Sequence, residues 1–387
     1  SLPKEVTIGT ITDLSGPDAQ TCYNRIGGLQ VAVSEADKLA SDHGDVLHLE
    51  VLDTGGNSAA AARDVRTLKR MAASVIAAPC GSDANLEAVN TAAAANHLPV
   101  ISAQWVPGSH TPWIWQTDLN PTAEGVSLAQ RMQQTGVTSA MIVRGSTAYD
   151  NEEAAAAAEE FNRLGIPSTT KQISAALAAQ LPQLNPNSIL VVANPTEAKG
   201  FLDTLGNNYQ SWKPANGILG CSLLMDNSYI NSGGMLFRIG GIDLASDIDT
   251  FGGGPIYYAI LLRNRYPGIM PTFDGVHSFM AGFVAVTALY DGGGHPSPTS
   301  LTRILGSDFH NWSFSKSYFL SLNHGGGGAS YITYFVTTYM DPSILPYNNS
   351  AVPQSDMSAT SHEGVWLNQG GFVQATPFLA VTDPGGQ

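Results

Sequence analysis

Charge is scarce in this chain of 387 residues: only 13% are Asp, Glu, Lys or Arg, about half the usual share for a soluble domain. Basic residues are scarcer still. Lys and Arg total 18 against 32 Asp and Glu, for a formal net charge of −14, and they never cluster, so a nucleic-acid partner is excluded. Long apolar runs are missing too. None reaches the ~18 residues a membrane-spanning helix needs, and the longest apolar helix candidate, Phe279 to Tyr290, carries Gly and Thr. Three cysteines, Cys22, Cys80 and Cys221, are too few for a disulfide scaffold and lack zinc-site spacing. The nine histidines are scattered, so no metal is expected. Neither a Gly-x-Ser-x-Gly elbow nor a P-loop occurs. The glycine runs at 252–254, 292–294 and 325–328 lack the dinucleotide spacing and read as loops or hinges. A glycosidase carboxylate pair is not readable from sequence, because its members meet only in space. Nothing positive supports an enzyme, and no cofactor is implied.

What is present is rhythm. The length exceeds that of a single core, which predicts two lobes. β-branched runs alternate with Ala-rich amphipathic stretches, the pattern of βα units on a parallel sheet. Strands are predicted at 5–11, 47–53, 74–78 and 98–101, with helices at 21–42, 58–73 and 83–96. A Pro- and Trp-rich passage, 106–118, breaks the series. A second series follows, with strands near 138–143, 188–193, 216–219 and 237–242 and helices near 121–135, 150–164 and 195–208. Beyond the Gly-rich 251–255 come helices near 255–265, 276–290 and 299–305. The tail then turns antiparallel in character, with a strand at 331–340, a Pro/Ser/Asn loop at 342–360 and a further strand or hairpin at 364–375. The fold class is α/β, with two Rossmann-like lobes. The division expected is 1–118 with 250–330 as one lobe and 119–249 with 331–387 as the other.

Ligands of open parallel sheets bind at the carboxyl ends of the strands. Asp13–Tyr23, Pro79–Asp83, Ser102–Val106, Ser146–Asn151 and Gly220–Leu223 occupy such ends. In the doubly wound order the first and third strands are neighbours, so Cys22 and Cys80, in the loops after them, are expected to be bridged. An exported chain would meet conditions that favour that oxidation, and Cys221, in the other lobe, is expected to stay free.

These same segments carry a resemblance. Ile8-Gly9, Leu14-Ser15-Gly16-Pro17, Asp53, Cys80-Gly81-Ser82, Leu98-Pro99-Val100-Ile101-Ser102, Tyr149-Asp150, Gly220 and the late helix Phe279–Leu289 together resemble the leucine/isoleucine/valine-binding family of type I periplasmic binding proteins. No one motif is specific; the ordered set is. The resemblance implies three crossing segments between the lobes, hinge closure around a small molecule, and delivery to the membrane permease of an ABC importer. It also implies an extracytoplasmic protein, expected to be a monomer, whose leader has been removed.

By that resemblance Gly81, Ser82, Ser102, Ala103 and Gln104, with Cys80 beside them, grip a ligand carboxylate. Ser82 or Asp83 also caps a helix whose first N–H groups suit an anion. Tyr149 is the pocket tyrosine, and Thr21 or Tyr23 the side-chain contact of the first loop. Trp105 reads either as a flat pocket wall or as support for the crossing segment, and Phe279 as an apolar wall. Two departures stand out. Ser222, after Cys221, stands where amino-acid-binding relatives place an acid for the ligand ammonium, and Trp105-Val106 replaces a hydroxyl residue. The pocket therefore reads as equipped for an anion and underequipped for a cation, with Asp226 or Asp243 as candidate substitutes. The leading reading is a binding protein for an amino acid or related small carboxylate. The alternatives are a ligand-sensing domain of the same fold and an α/β hydrolase.

Overall fold

The computed structural model describes residues 5–41, 46–106, 112–117, 121–224, 236, 241–246, 273–308 and the strand residues 312–315, 318–320, 323–324, 334–339 and 372–376. Its first sheet comprises β1 (Glu5–Thr12), β2 (Val46–Asp53), β3 (Val75–Ala77), β4 (Val100–Ser102) and β5 (Ile114–Gln116). They run parallel in the order β2-β1-β3-β4-β5. Helices α1 (Ala19–Ser41), α2 (Ser58–Arg70) and α3 (Asp83–Ala95) connect them.

The second sheet follows α4 (Pro121–Gln134) and comprises β6 (Ala140–Arg144), β7 (Ser168–Gln172), β8 (Ile189–Val192), β9 (Ile218–Gly220) and β10 (Asp243–Ser246). It is parallel in the order β7-β6-β8-β9-β10. Its crossovers include α5 (Ala148–Arg163), α6 (Ala175–Leu184) and α7 (Pro195–Asn208). The chain then supplies α8 (Phe273–Asp291), α9 (Pro298–Asp308) and a small antiparallel pair, β11 (Trp312–Ser315) with β12 (Tyr318–Leu320). β13 (Asn323–His324) adds antiparallel to β5 of the first sheet, whereas β14 (Tyr334–Tyr339) and β15 (Phe372–Thr376) extend the second beyond β10.

Strands buried on both faces read as continuous apolar runs, and those were legible: Val6, Ile8, Val75 and Ile76 of the first sheet and Ile142, Leu190 and Val191 of the second are fully buried. The exceptions have physical reasons. β7, Ser-Thr-Thr-Lys-Gln, is a largely exposed edge strand with no apolar pattern, and α6 carries Pro182 inside it; neither was predicted. β5 is only three residues long and lay inside the passage read as a break. β10 falls at 243–246 rather than 237–242. The helix predicted at 255–265, the glycine run at 252–254 and the loop at 342–360 lie outside the described residues.

Each sheet has its own core. In the first, α1 and α8 pack so closely that a Cβ on Gly28 would run into the Gly275 carbonyl, while one on Gly282 would meet Ala32 and Leu29. Phe279 belongs to this core. It is 1% exposed and its ring packs against Phe283 at 5.9 Å between centroids, which corrects its reading as a ligand wall: the apolar face of α8 is spent on α1. The second core is built around Phe161, Phe201, Ile142 and Val191.

Candidate functional site

The carboxyl ends of the first sheet are joined covalently. Cys22, in the first turn of α1, is bridged to Cys80, after β3, as the neighbouring positions of β1 and β3 predicted. Backbone bonds reinforce the tie: Asp13 N–H donates to the Cys80 carbonyl at 3.0 Å and Cys80 N–H to that of Ile11 at 3.1 Å. Cys80 is thus a structural residue, its sulfur committed. Gly81 is buried beside it, and Ser82 is exposed at the N-cap of α3, its Oγ accepting from Asn85 N–H at 3.3 Å. Thr21 and Tyr23 lie on exposed positions of α1, Tyr23 being 48% exposed, one either side of the buried Cys22.

After β4 the chain makes a tight polar turn. Ser102 Oγ donates to the Gln104 carbonyl at 2.8 Å and accepts from Gln104 N–H at 3.2 Å. That commits a hydroxyl counted among the ligand contacts to holding its own loop. Ala103 is buried, and its carbonyl accepts from Arg25 Nη1 at 3.3 Å. Arg25, on α1, was not among the residues singled out from sequence. Its signal was there: a cation close behind Thr21 and Tyr23 in a chain with few cations.

The rim of this lobe is otherwise acidic. Burial, then Glu87 and Asp18, raise the Asp83 carboxyl above its usual range, and burial, then Asp13, raise that of Asp18. Asp53, at the end of β2, moves the other way. Partial burial would raise it, but N–H groups of Gly55 and Leu14 and the Ser15 hydroxyl hold it lower.

The facing end of the second sheet is assembled around carboxylates. Tyr149 opens α5, whose N-cap is a capping box: Thr147 Oγ1 accepts from Asp150 N–H at 3.1 Å and Asp150 Oδ2 accepts from Thr147 N–H at 3.2 Å. Its phenol donates to Glu124 Oε2 at 2.6 Å. Ser222, in the 3-10 turn Ser222–Leu224 after β9, donates its N–H to Glu124 Oε1 at 2.5 Å and its hydroxyl to Oε2 at 2.8 Å. Glu124 comes from the first turn of α4 and is wholly buried. It sits there because α4 and α5 touch at Gly125, where a Cβ would collide with the Glu153 carbonyl and crowd Ala157 N at 2.9 Å.

Behind it Glu153, also wholly buried, is held well above the carboxylate range, by burial first and then by Glu124 and Asp150. Its two oxygens meet no protein donor, and burial beside two other acids favours its neutral form. Burial also lifts Asp150 to about 7, with Glu197 adding to the rise against the opposing Thr147 bonds. Cys221, free and buried, is pushed well up by burial and these acids, and its thiol donates to the Ala193 carbonyl at 3.6 Å.

The two ends meet through aromatic rings. Trp105, after β4, and Tyr149, opening α5, are 5.5 Å apart between centroids at 82°, an edge-on contact between the first and second sheets' loops. Trp105 is thus turned toward the second sheet. Among the described residues no group of three His, Cys, Asp or Glu suits a metal, and no helix is long and apolar enough to cross a membrane.

A family model described as periplasmic binding protein matches residues 5–207, more than half of the chain. The chain belongs to the periplasmic binding protein family. Its fold is that of the type I members. A structure of a branched-chain amino acid ABC transporter protein from Rhodospirillum rubrum superposes with a TM-score of 0.70 at 16% identity, over 87% of this chain and 98% of that one. A solute-binding protein from Rhodopseudomonas palustris BisB5, in complex with 3,4-dihydroxybenzoic acid, gives 0.72 at 15%, over 98% and 99%. A fatty acid ABC transporter substrate-binding protein from Thermomonospora curvata gives 0.71 at 15%, over 97% and 92%. Among curated proteins no sequence matches. Family and structural neighbours are binding proteins of transporters rather than enzymes, and at these identities the neighbours fix the fold and leave the ligand open.

Proposed function

We propose that this periplasmic binding protein captures an amino acid or a related small carboxylate between its lobes and hands it to the permease of an ABC importer outside the cytoplasm. We take 1–118 with 250–330 as one lobe and 119–249 with 331–387 as the other, closing about a hinge. The observation that carries the reading is the convergence of the two strand-end loop sets on the Trp105–Tyr149 contact. The loop after β3, next to that of Trp105 in the sheet, carries the exposed cap hydroxyl of Ser82, and the second sheet's loops carry the hydroxyls of Tyr149 and Ser222. Ser82 stands at a helix N-terminus, where free N–H groups favour a carboxylate. Arg25 lends a positive charge to the neighbouring loop, which offsets the acidic rim of Asp18, Asp83 and Glu87. The aromatic pair supplies an apolar wall of the kind small-molecule sites use.

The test is calorimetry against a panel of amino acids, aromatic acids, fatty acids, a neutral sugar and a polyamine. A carboxylate is expected to bind, Ser82→Ala to weaken it by about 1–3 kcal/mol and Tyr149→Ala to weaken it as well. Preference for the sugar or the polyamine, or indifference to both substitutions, would overturn the reading.

A further inference from the structure

The hydroxyl protons at the second-lobe face are already spoken for. Tyr149 and Ser222 each have one O–H, and each donates it to Glu124 Oε2, at 2.6 and 2.8 Å. A hydroxyl has one donor and two acceptor positions, so both groups can offer an incoming molecule only lone pairs. The Ser222 N–H is likewise spent on Glu124 Oε1, and the Leu224 N–H on the Cys221 carbonyl. The buried carboxylate thereby turns two groups of ambiguous polarity into acceptors, and its negative charge, taken from water into a low-dielectric core, polarises them toward a cation.

We propose that Glu124 is the residue that sets ligand specificity in this cleft, acting through Tyr149 and Ser222 to make the second-lobe face select a ligand ammonium group. The inference rests on the small-carboxylate reading above and deepens it. It also answers the question raised by Ser222, which stands where an acid was expected: the acid is present one layer deeper, on α4 rather than after β9, and reaches the cleft through two hydroxyls. Neither Asp226, outside the described residues, nor Asp243, on β10, is needed for that role. Glu153 completes the device. Buried behind Glu124, its carboxyl is raised well above the usual range, which favours leaving the negative charge of the pair on Glu124. Glu124 does not touch the ligand in this scheme and is a positioning residue.

Two arms test this. In ligand-free protein labelled at tyrosine Cζ, the Tyr149 resonance, assigned by its loss in Tyr149→Phe, is expected to move in Glu124→Gln while the fold persists by circular dichroism. An unmoved resonance overturns the Glu124 link. In the second arm the probes are L-leucine with 4-methylpentanoate and L-phenylalanine with 3-phenylpropanoate, pairs that differ only in the ammonium group. The natural protein is expected to prefer the ammonium-bearing member of the pair it binds. Glu124→Gln, whose amide donates to the two hydroxyls and frees their protons toward the cleft, is expected to cut that preference by about tenfold or more. Ser222→Ala, which leaves the buried pair intact, is expected to cut it less. A preference unchanged in Glu124→Gln, or missing in the natural protein, overturns the selection. If the natural protein binds none of the four acids, the selection falls, the small-carboxylate reading is decided by the wider panel above, and the resonance still decides the Glu124 link.

Discussion

The two sheets present similar loops to the cleft but hold them by opposite means. At the first sheet a disulfide fixes α1 to the loop after β3, and Thr21, Tyr23 and Ser82 beside it are open to solvent. At the second sheet nothing is covalent. Tyr149, Ser222 and Cys221 are arranged around Glu124, Glu153 and Asp150, all three buried. Two ways of fixing a loop therefore coexist at the candidate site, and they respond to different variables: one to redox potential, the other to proton activity.

The largest expected effect tests whether the two regions fold as separate units. Phe279 and Phe161 are among the largest fully buried side chains, one in each core. Truncating either to Ala is expected to cost about 3–5 kcal/mol. In calorimetric scans of the unliganded protein, Phe279→Ala should lower the transition of the first lobe and Phe161→Ala that of the second. One common transition, shifted equally by both, would dissolve the contrast.

Opening the disulfide comes next. The bridge closes a sequence separation of 58 residues, for which loop entropy gives about 4 kcal/mol. Cys22→Ala with Cys80→Ala, or reduction, is expected to destabilise the first lobe by about that much and leave the second untouched. Urea unfolding followed by tryptophan and tyrosine signals from each lobe would measure it.

The smallest effect is the proton response. Asp150 and Glu153 have folded pKa values raised above those of the unfolded chain. The native state therefore binds more protons than the unfolded one above about pH 4, and stability falls as pH rises. For Asp150 the loss levels off above about 7. The second lobe is expected to lose on the order of 1–3 kcal/mol between pH 5 and 8, and Asp150→Asn to flatten that slope. Glu124, Glu197 and Cys221 face the same cluster. The first lobe should respond less, since Asp18 and Asp83 are raised while Asp53 is lowered. Equal slopes in both lobes, by thermal scans across that range, would remove the distinction.

The parallel strands were legible because burial on both faces leaves apolar runs such as Ile-Leu-Val-Val at 189–192. The disulfide was legible because sheet order alone makes β1 and β3 neighbours. β7 and β5 were not: an exposed edge strand has no pattern to read, and a three-residue strand has too little of one. Within the candidate site, Ser82 and Tyr149 could be found as strand-end residues. Glu124 could not. It lies in the first turn of an amphipathic helix, where an acid reads as an ordinary favourable choice for the helix dipole, and only the α4–α5 contact at Gly125 turns it inward. Phe279 failed for the opposite reason. An aromatic on an apolar helix looks the same facing a ligand or a partner helix, and here the partner is α1.

The packing of α8 on α1 also bears on the order in which the chain acquires structure. Gly28 and Gly275 are in contact across the first lobe, and Tyr290 donates to the Ala36 carbonyl across 254 residues. The five parallel strands of the second sheet, by contrast, arise from the unbroken stretch 140–246. A chain emerging from its N-terminus therefore holds α1 with one flank uncovered until α8 arrives, by which time the middle of the molecule has all its parallel strands. The loop closure needed by the first lobe is the longer one and the slower to reward. The lobe that starts first finishes last.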